Sequence, residues 1–422
     1  MQHSSGRSPR ALPMPSVLVQ QQWIGDELNG ACRLRAVTLN ILADSYARGC
    51  EDASHRLRPV SPLFTHHGVG GVAMRPGVVS SQDDYFRLGC SAENLEWERR
   101  WAILRGILID LDPDLIGLQE IDLLDEPRHN ARRHDGQIRK DLDSAGYEGV
   151  FARKGGRAFD GVGIFWRRTR LRKFEPKIVW PLGASVMVAL AQKLILDGAH
   201  VFTAVSTHLK AGFTAESEHV RELQAAVLLD KLKHHENVVL MADLNSHCAK
   251  LYASADHTGS VAPRPVVYNL LLRSMQSSYR AVLGREPSFT VWSGWMDREV
   301  RLVCDYIFLK GPLFTAGRVL KLPDEKDIVA FPERLPNTVH PSDHLPLAAD
   351  LFVAQGDQAR WQGLPWVAAA RLTAKRISHS LVLEKLLGFF GPVVRLLHRA
   401  QKIPPALARF WKASTFRPPD HE

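Results

Sequence analysis

Short apolar runs separated by turn residues recur along the chain, and their lengths predict strands more often than helices. The predicted strands cover residues 34–42, 114–121, 147–152, 161–167, 186–196, 200–207, 238–241, 302–309 and 345–353. Apolar residues at helical spacing predict helices over residues 95–111 and 215–235, and Pro113 stops the first. Runs of strands with few helices between them favour sheets that pack on each other, with helices outside.

Three segments are predicted along the chain. Residues 1–33 form a flexible leader, residues 34–355 form the folded domain, and residues 356–422 form a helical tail. A stretch that contains Gly, Pro and Ser, over about residues 49–92, is predicted to be an insertion or surface loop of the domain. The tail combines apolar residues near helical spacing with basic ones. It is therefore expected to dock on the domain, to bind a protein partner or to lie on an anionic membrane.

The composition narrows the class of protein. Hydrophobic residues make up 45% and charged residues 23% of the chain, which excludes a disordered protein, a collagen and a coiled coil. No apolar run is long enough for a transmembrane helix. The five cysteines are scattered, which argues against a disulfide framework and indicates a reducing compartment. We expect the cytoplasm, with organellar targeting through the acid-free residues 1–24 as the alternative.

The formal net charge of +9 is concentrated in the tail. Residues 356–422 contain eleven Lys and Arg against four Asp and Glu, a net +7, which leaves the rest of the chain close to neutral. The overall field of the domain is therefore weak. A polyanionic substrate must be attracted by a local cleft.

Six short segments place an Asn, Asp, Glu or His at the carboxyl end of an apolar run. They are Val37–Asn40, Gly117–Glu120, Ser206–Leu209, Met241–Asn245, Cys304–Ile307 and Pro341–His344. A single polar residue at a strand end is more often a cap or a surface charge. Six in one chain indicate a functional site, because strand ends are where a rigid scaffold presents reactive groups.

The residue types in these segments suit one chemistry. Carboxylates such as Glu120 provide the oxygen ligands that Mg²⁺ prefers. His344, next to Asp343, suits general-base activation of water, and Asn and His side chains suit hydrogen bonding to a phosphate. Clustered Cys and His ligands are missing, which argues against zinc, and no P-loop motif occurs.

Taken together, the segments resemble the endonuclease/exonuclease/phosphatase superfamily over about residues 34–353. The similarity is greatest to the branch of the carbon-catabolite-repressor-type deadenylases, nocturnin, the Angel proteins and the 2′,5′-phosphodiesterases. The motifs that carry it are Thr38–Ala47 (TLNILADSYA), Leu95–Arg100 (LEWERR), Asp160–Trp166 (DGVGIFW) and His340–Leu345 (HPSDHL).

The resemblance implies a fold and a set of residue roles. The fold is a four-layer α/β sandwich, with two packed mixed β-sheets flanked by helices. Residues 34–355 become the catalytic domain, with Mg²⁺, or Mn²⁺ as the alternative, held by Glu120, Asn40 and Asp343. The implied catalytic residues are His344 and Asp305 for the attacking water, Asp243 and Asn245 for the nucleophile and the phosphate, and His208 for charge on the phosphate.

For the substrate, the resemblance implies RNA. Phe289 matches a position that borders the nucleotide site, where a ring can stack on a base. Lys210, just after His208, is a candidate for contact with a phosphate. The leading hypothesis is a Mg²⁺-dependent 3′-5′ exoribonuclease that trims poly(A). The alternatives are a phospholipid, inositol-phosphate or sphingomyelin headgroup phosphodiesterase of the same superfamily, and an inactive scaffold that binds RNA or a complex.

Overall fold

The structure of the chain is a computed structural model. It describes residues 21–28, 31–48, 71–74, 90, 92–125, 132–212, 214–249, 265–294, 298–331 and 333–354. The tail predicted over residues 356–422 and most of the insertion predicted over residues 49–92 lie outside these ranges.

Two large sheets form the centre of the described chain. The first has the strand order Trp23–Gly25, Phe314–Leu320, Leu347–Val353, Arg33–Asn40, Leu115–Asp122, Asp160–Arg167 and Tyr147–Arg153. The second has the order Gln276–Ser277, Asp305–Lys310, Val238–Asp243, His200–His208, Val188–Leu196 and Leu171–Lys173, and Ile178–Pro181 also pairs with Val188–Leu196. Each sheet contains one parallel pair among antiparallel ones, so both are mixed.

A smaller sheet and several helices complete the described structure. The strands of the small sheet are Val291–Gly294, Arg298–Leu302 and Gly71–Met74. The helices are Asp44–Arg48, Ala92–Leu95, Trp97–Asp110, Asp135–Ser144, Ala215–Leu232, Val266–Leu272, Ser278–Leu283 and Glu325–Val329. No helix in the described ranges is long and apolar enough to cross a membrane.

The core lies between the two large sheets. It includes Leu34, Leu115, Ile164 and Trp166 from the first sheet and Leu190, Leu194, Met241 and Ile307 from the second. At Gly117 the sheets approach so closely that an added Cβ would lie 2.7 Å from Cβ of Met241. Gly117 therefore allows a close contact three residues before Glu120, a candidate site residue.

Helices cover the outer faces of both sheets. Helix Trp97–Asp110 buries Trp101 and Leu104 against the first sheet, and helix Ala215–Leu232 buries Leu228 against the second. The layers are thus helix, sheet, sheet and helix. The predicted four-layer α/β sandwich is confirmed.

The structure corrects two predicted segments. Residues 23–25 are not a flexible leader, because they form an edge strand that pairs with residues 318–320. Within the predicted insertion, Gly71–Met74 is a strand that pairs with Arg298–Leu302. Both strands are three or four residues long, which is too short to show the alternation of polar and apolar residues that predicts a strand.

Candidate active site

The predicted site residues meet at one edge of the two sheets. Asn40, His208 and Asp243 each end a strand, and Asp305 begins one that runs antiparallel to Val238–Asp243. His208, Asp243 and Asp305 are aligned in register across three neighbouring strands. The topology therefore brings together residues that lie far apart in the sequence.

Glu120 lies on a bulge in the first sheet. The register between its strand and Asp160–Arg167 shifts between Gln119 and Ile121, and Glu120 has a φ of 57°. A β-bulge with a residue of positive φ changes the direction in which a side chain points. A strained backbone of this kind is common at functional sites. The carboxylate of Glu120 consequently points to the residues of the second sheet.

Asn40 links the carboxylates of the two sheets. Its Nδ2 donates hydrogen bonds to Oε1 of Glu120 and to Oδ2 of Asp243, both at 2.9 Å. Its Oδ1 accepts a hydrogen bond from the backbone N–H of Leu42, and the N–H of Ala43 donates to Oε2 of Glu120. Because both Nδ2 and Oδ1 of Asn40 are hydrogen-bonded, its side chain holds the carboxylates of Glu120 and Asp243 in fixed positions.

Two carboxyl groups of the site, those of Glu120 and Asp243, have raised pKa values. Burial and repulsion from Asp343 raise the pKa of Glu120. Burial raises the pKa of Asp243 to about 7, although His344 opposes the shift. Such shifts are characteristic of sites in which like charges are crowded together away from water.

His344 forms a buried dyad with Asp305. Its Nδ1 lies 2.9 Å from Oδ2 of Asp305, which also accepts a hydrogen bond of 2.6 Å from Oγ1 of Thr290. Burial lowers the pKa of His344, but Asp305, Asp343 and Asp243 outweigh it and raise the pKa well above the usual range. Nε2 of His344 lies 3.9 Å from Oδ2 of Asp243 and faces the centre of the site.

His208 and Asn245 lie on the opposite side of Asp243. Nε2 of His208 is 3.5 Å from Oδ2 of Asp243 and 2.8 Å from Nδ2 of Asn245. The backbone N–H of Asn245 donates to Oδ1 of Asp243, and Asn245 has a φ of 48°. Burial, Lys154 and His344 lower the pKa of His208 well below its usual value, so the ring is neutral at neutral pH.

Four residues that support the site were not predicted as site residues. Lys154 and Asp160 lie behind His208, Thr290 orients Asp305, and the hydroxyl of Ser342 donates to the carbonyl of Asn40. Asp160 and Ser342 do belong to the motifs DGVGIFW and HPSDHL. Lys154 lies in no motif, so the sequence contains no signal for it.

The two predicted substrate residues occupy different environments. Phe289 is 2% exposed and packs edge-on against Trp292 in a cluster with Ile328, Leu335 and Leu345. To stack on a base, its ring would have to leave this cluster, so the arrangement supports a packing role. Lys210 is exposed two residues after His208, where its side chain can meet a substrate.

Helix Ala215–Leu232 holds the loop that follows His208. Arg221 is buried, donates to the carbonyls of Lys210 and Gly212, and forms an ion pair of 2.8 Å with Glu218. Glu218 in turn accepts a hydrogen bond from Ser246, just beyond Asn245. This buried network connects the two loops that carry the site.

Replacing Arg221 by methionine should lower the free energy of unfolding by about 3 kcal/mol, because it leaves the Glu218 carboxylate buried without its partner. Urea unfolding at neutral pH measures this. The matched control is Arg273→Met at an exposed position, which should change the free energy by less than about 0.5 kcal/mol. Equal unfolding free energies for the two variants would contradict the anchoring role of Arg221.

His247 should make the fold sensitive to acid. Its buried Nδ1 accepts a hydrogen bond from the N–H of Val303, and burial lowers its pKa from 6.5 to about 4. As the pH falls, His247 takes up a proton in the unfolded chain before it does so in the folded protein. The contribution of neutral His247 to the free energy of unfolding is therefore complete above pH 6.5 and is lost towards pH 4. The shift corresponds to about 3 kcal/mol.

His247→Asn keeps an acceptor and removes the titration, so its free energy of unfolding should fall less than that of the wild type between pH 7 and pH 4.5. Urea unfolding at both pH values measures the difference. An identical fall in the two proteins would contradict the assignment to His247.

The donor set fits a divalent cation. One atom each of Glu120, His208 and Asp243 lies within 4.8 Å of the others, and the oxygen donors of this group are the two carboxylates. Buried carboxylates whose pKa values are raised by burial and mutual repulsion would be stabilised by a cation between them. Carboxylate oxygens, with no cysteine among the donors, suit Mg²⁺ or Mn²⁺ better than zinc.

Comparison with known proteins shows the family to which the chain belongs. The sequence profile of the Endonuclease/Exonuclease/phosphatase family matches residues 88–344. Human nocturnin is 26% identical in an alignment of 287 residues that covers 64% of this chain and 61% of nocturnin. Carbon catabolite repressor protein 4 homolog 4 of Arabidopsis thaliana is 25% identical in an alignment of 316 residues that covers 61% of this chain and 71% of that protein. The crystal structure of ANGEL2, described as a 2′,3′-cyclic phosphatase, has a TM-score of 0.56 at 16% identity, with 80% of this chain and 99% of ANGEL2 covered.

The four-layer sandwich has carboxylates and histidines gathered at one edge of its two sheets, which defines a candidate metal site. The chain belongs to the Endonuclease/Exonuclease/phosphatase family. Its relatives come from the branch that the sequence motifs resemble, and the resemblance is thereby confirmed. The match spans less than two thirds of the human nocturnin sequence.

Proposed function

We propose that this chain is a Mg²⁺-dependent phosphodiesterase that removes nucleotides from the 3′ end of RNA, with oligo(A) as the preferred substrate. The observation that supports this proposal most strongly is the convergence of Glu120, Asp243, His208 and the His344–Asp305 dyad at one sheet edge. Hydrolysis of a phosphodiester by water needs a metal site, an acceptor for the proton of the water and hydrogen-bond donors to the phosphate.

Glu120 is the first candidate to hold the metal, with Asn40 and Asp343 beside it. Asn40 fixes one carboxylate oxygen of Glu120, and the N–H of Ala43 fixes the other. When bound, the cation polarises a phosphoryl oxygen and stabilises the charge that develops on it. The rigid support of Glu120 means that little reorganisation is needed at the moment of reaction.

Asp243 and the His344–Asp305 dyad would act on the attacking water. Oδ2 of Asp243 and Nε2 of His344 face each other at 3.9 Å, which leaves them free of a direct hydrogen bond. A water held by both can pass its proton to Asp243 while His344 orients it. Asp305 keeps the imidazole of His344 in one orientation through Nδ1.

Asn245 and His208 would bind the scissile phosphate. His208 is buried and Asn245 is partly buried beside Asp243, and both present polar nitrogen atoms to the same region. Hydrogen bonds to phosphoryl oxygens strengthen as negative charge accumulates on them in the transition state. Lys210, exposed two residues after His208, would meet a neighbouring phosphate of the RNA.

RNA is the favoured substrate because 2′,5′-phosphodiesterase 12 of Mus musculus, which is 23% identical to this chain, and ANGEL2 have names that state an activity on 2′,5′ or 2′,3′ phosphates. ANGEL2 is described as a 2′,3′-cyclic phosphatase and was crystallised with adenosine-2′,3′-vanadate. The domain outside residues 356–422 is nearly neutral, so the substrate must be recognised locally.

The test is degradation of a 5′-labelled RNA with a 3′ oligo(A) tract by the full chain in Mg²⁺. We expect a ladder that shortens from the 3′ end, with a matched oligo(C) RNA degraded more slowly. Glu120→Gln should abolish the ladder. The control is Glu216→Gln, an exposed glutamate in the first turn of helix Ala215–Leu232, which should leave the rate unchanged.

The outcome of this assay separates the candidate activities. Intact oligo(A) and oligo(C) RNA would contradict the exoribonuclease proposal. Degradation of 2′,5′-linked oligoadenylate alone would keep the chemistry and change the linkage. Release of headgroups from sphingomyelin vesicles, with RNA untouched, would favour the lipid alternative.

A further inference from the structure

Lys154 is a buried cation behind the candidate site. It directly follows strand Tyr147–Arg153, and its side chain is 5% exposed. Its Nζ donates a hydrogen bond of 2.5 Å to Oδ2 of Asp160 and lies 3.2 Å from Nδ1 of His208. Lys154 points at the back of the His208 ring, away from the edge that carries Nε2.

The contact with Lys154 determines which ring nitrogen of His208 carries a hydrogen atom. A lysine ammonium carries three donors and no acceptor. A neutral imidazole has one nitrogen with hydrogen and one without. If Nδ1 accepts from Lys154, the hydrogen must sit on Nε2, which lies between Asp243 and Asn245.

The alternative tautomer is disfavoured by charge. In the tautomer with hydrogen on Nδ1, Nε2 of His208 would accept a hydrogen bond from Nδ2 of Asn245. The same Nδ2 also donates a hydrogen bond of 3.2 Å to the carbonyl of Leu209. Nδ1–H would then face the ammonium of Lys154 in a site that excludes water. An amide can rotate or exchange the places of its oxygen and nitrogen, whereas a charged lysine cannot become an acceptor. The Lys154 contact therefore outweighs the Asn245 contact.

We propose that Lys154 is a positioning residue, which fixes His208 in the tautomer with hydrogen on Nε2 and so aims a donor at the scissile phosphate. The contact with phosphate rests on the proposed function, whereas the tautomer of His208 does not depend on it. Asn245 then turns its amide to a phosphoryl oxygen when substrate enters, and a phosphoryl oxygen is an acceptor for both groups.

The tautomer can be observed directly in the full chain labelled with nitrogen-15 histidine. Nitrogen chemical shifts distinguish a ring nitrogen that carries hydrogen from one that does not. The chain has 18 histidines, so the His208 signals are assigned by their loss in His208→Gln. Spectra are recorded at neutral pH after treatment with a chelator and without substrate.

The wild type should show hydrogen on Nε2 and a bare Nδ1. Lys154→Met should move the population to hydrogen on Nδ1, because Asn245 is then the remaining donor to the ring. Lys154→Arg keeps a cationic donor and should restore the Nε2–H form. The control Lys177→Met removes an exposed lysine and should leave the His208 signals unchanged.

Hydrogen on Nδ1 in the wild type would overturn the proposal, and this result needs no variant to fold. An unchanged tautomer in a folded Lys154→Met protein would overturn it as well. In the RNA assay, Lys154→Met should lower kcat by about 10²-fold, with at least tenfold recovery in Lys154→Arg. An inactive wild type would contradict the proposed function and leave the tautomer result valid.

Discussion

Replacing Asp243 by asparagine should lower kcat for RNA hydrolysis by about 10³-fold, with little change in the fold. The substitution is nearly isosteric, and the amide can still meet the backbone N–H of Asn245. It removes the group that accepts the proton of the attacking water, and a positioned general base contributes about 10²- to 10⁴-fold. It also presents a donor where Asn40 needs an acceptor.

Initial rates at saturating RNA measure this effect. The control is Asp230→Asn, because the side chain of Asp230 is 55% exposed and lies on the outer helix Ala215–Leu232. The control should match the wild type. A kcat for Asp243→Asn within about threefold of the wild-type value would contradict the role of Asp243 as proton acceptor.

The second large effect is expected for Asp305→Asn. Asp305 accepts hydrogen bonds from Nδ1 of His344 and from Oγ1 of Thr290. An asparagine can keep an oxygen at the Oδ2 position, but its NH₂ donor then replaces Oδ1, which lies 3.1 Å from Nδ1 of His344, and the negative charge is lost. The ring of His344 then loses its fixed orientation, and kcat should fall by about 10²- to 10⁴-fold.

The two kinetic constants separate this role from a defect in binding. Asp305 lies behind His344 and is fully buried, so it does not meet the substrate. KM should therefore change by less than about threefold while kcat falls. A raised KM with an unchanged kcat would contradict the dyad and would indicate that Asp305 acts in substrate binding.

The sequence was sufficient to predict most of the long strands of the two large sheets, although not Phe314–Leu320, and to name most of the residues that the structure gathers at the candidate site. Polar residues at strand ends identified Asn40, His208 and Asp243, because parallel strands bring their carboxyl ends to one edge. The sequence could not predict how Glu120 leaves the sheet. The bulge depends on the partner strand Asp160–Arg167, which local patterns do not reveal.

Other features depended on tertiary contacts. Lys154 lies next to His208 because two strands from different sheets meet there, and a single lysine after a strand carries no signal of this. Phe289 was expected beside a base, yet packing against Trp292 buries it. Residues 23–25 form a strand because Phe314–Leu320 offers an edge, a partner that lies almost 300 residues away in the chain.

The most direct test of the central claim is RNA hydrolysis in water enriched in oxygen-18, with mass spectrometry of the released nucleotide. We predict adenosine 5′-monophosphate that carries a single solvent oxygen on its phosphate, formed only with a divalent cation and absent with Glu120→Gln. Release of the nucleotide at the same rate after chelation, or with Glu120→Gln, would contradict a metal-dependent attack of water at this site.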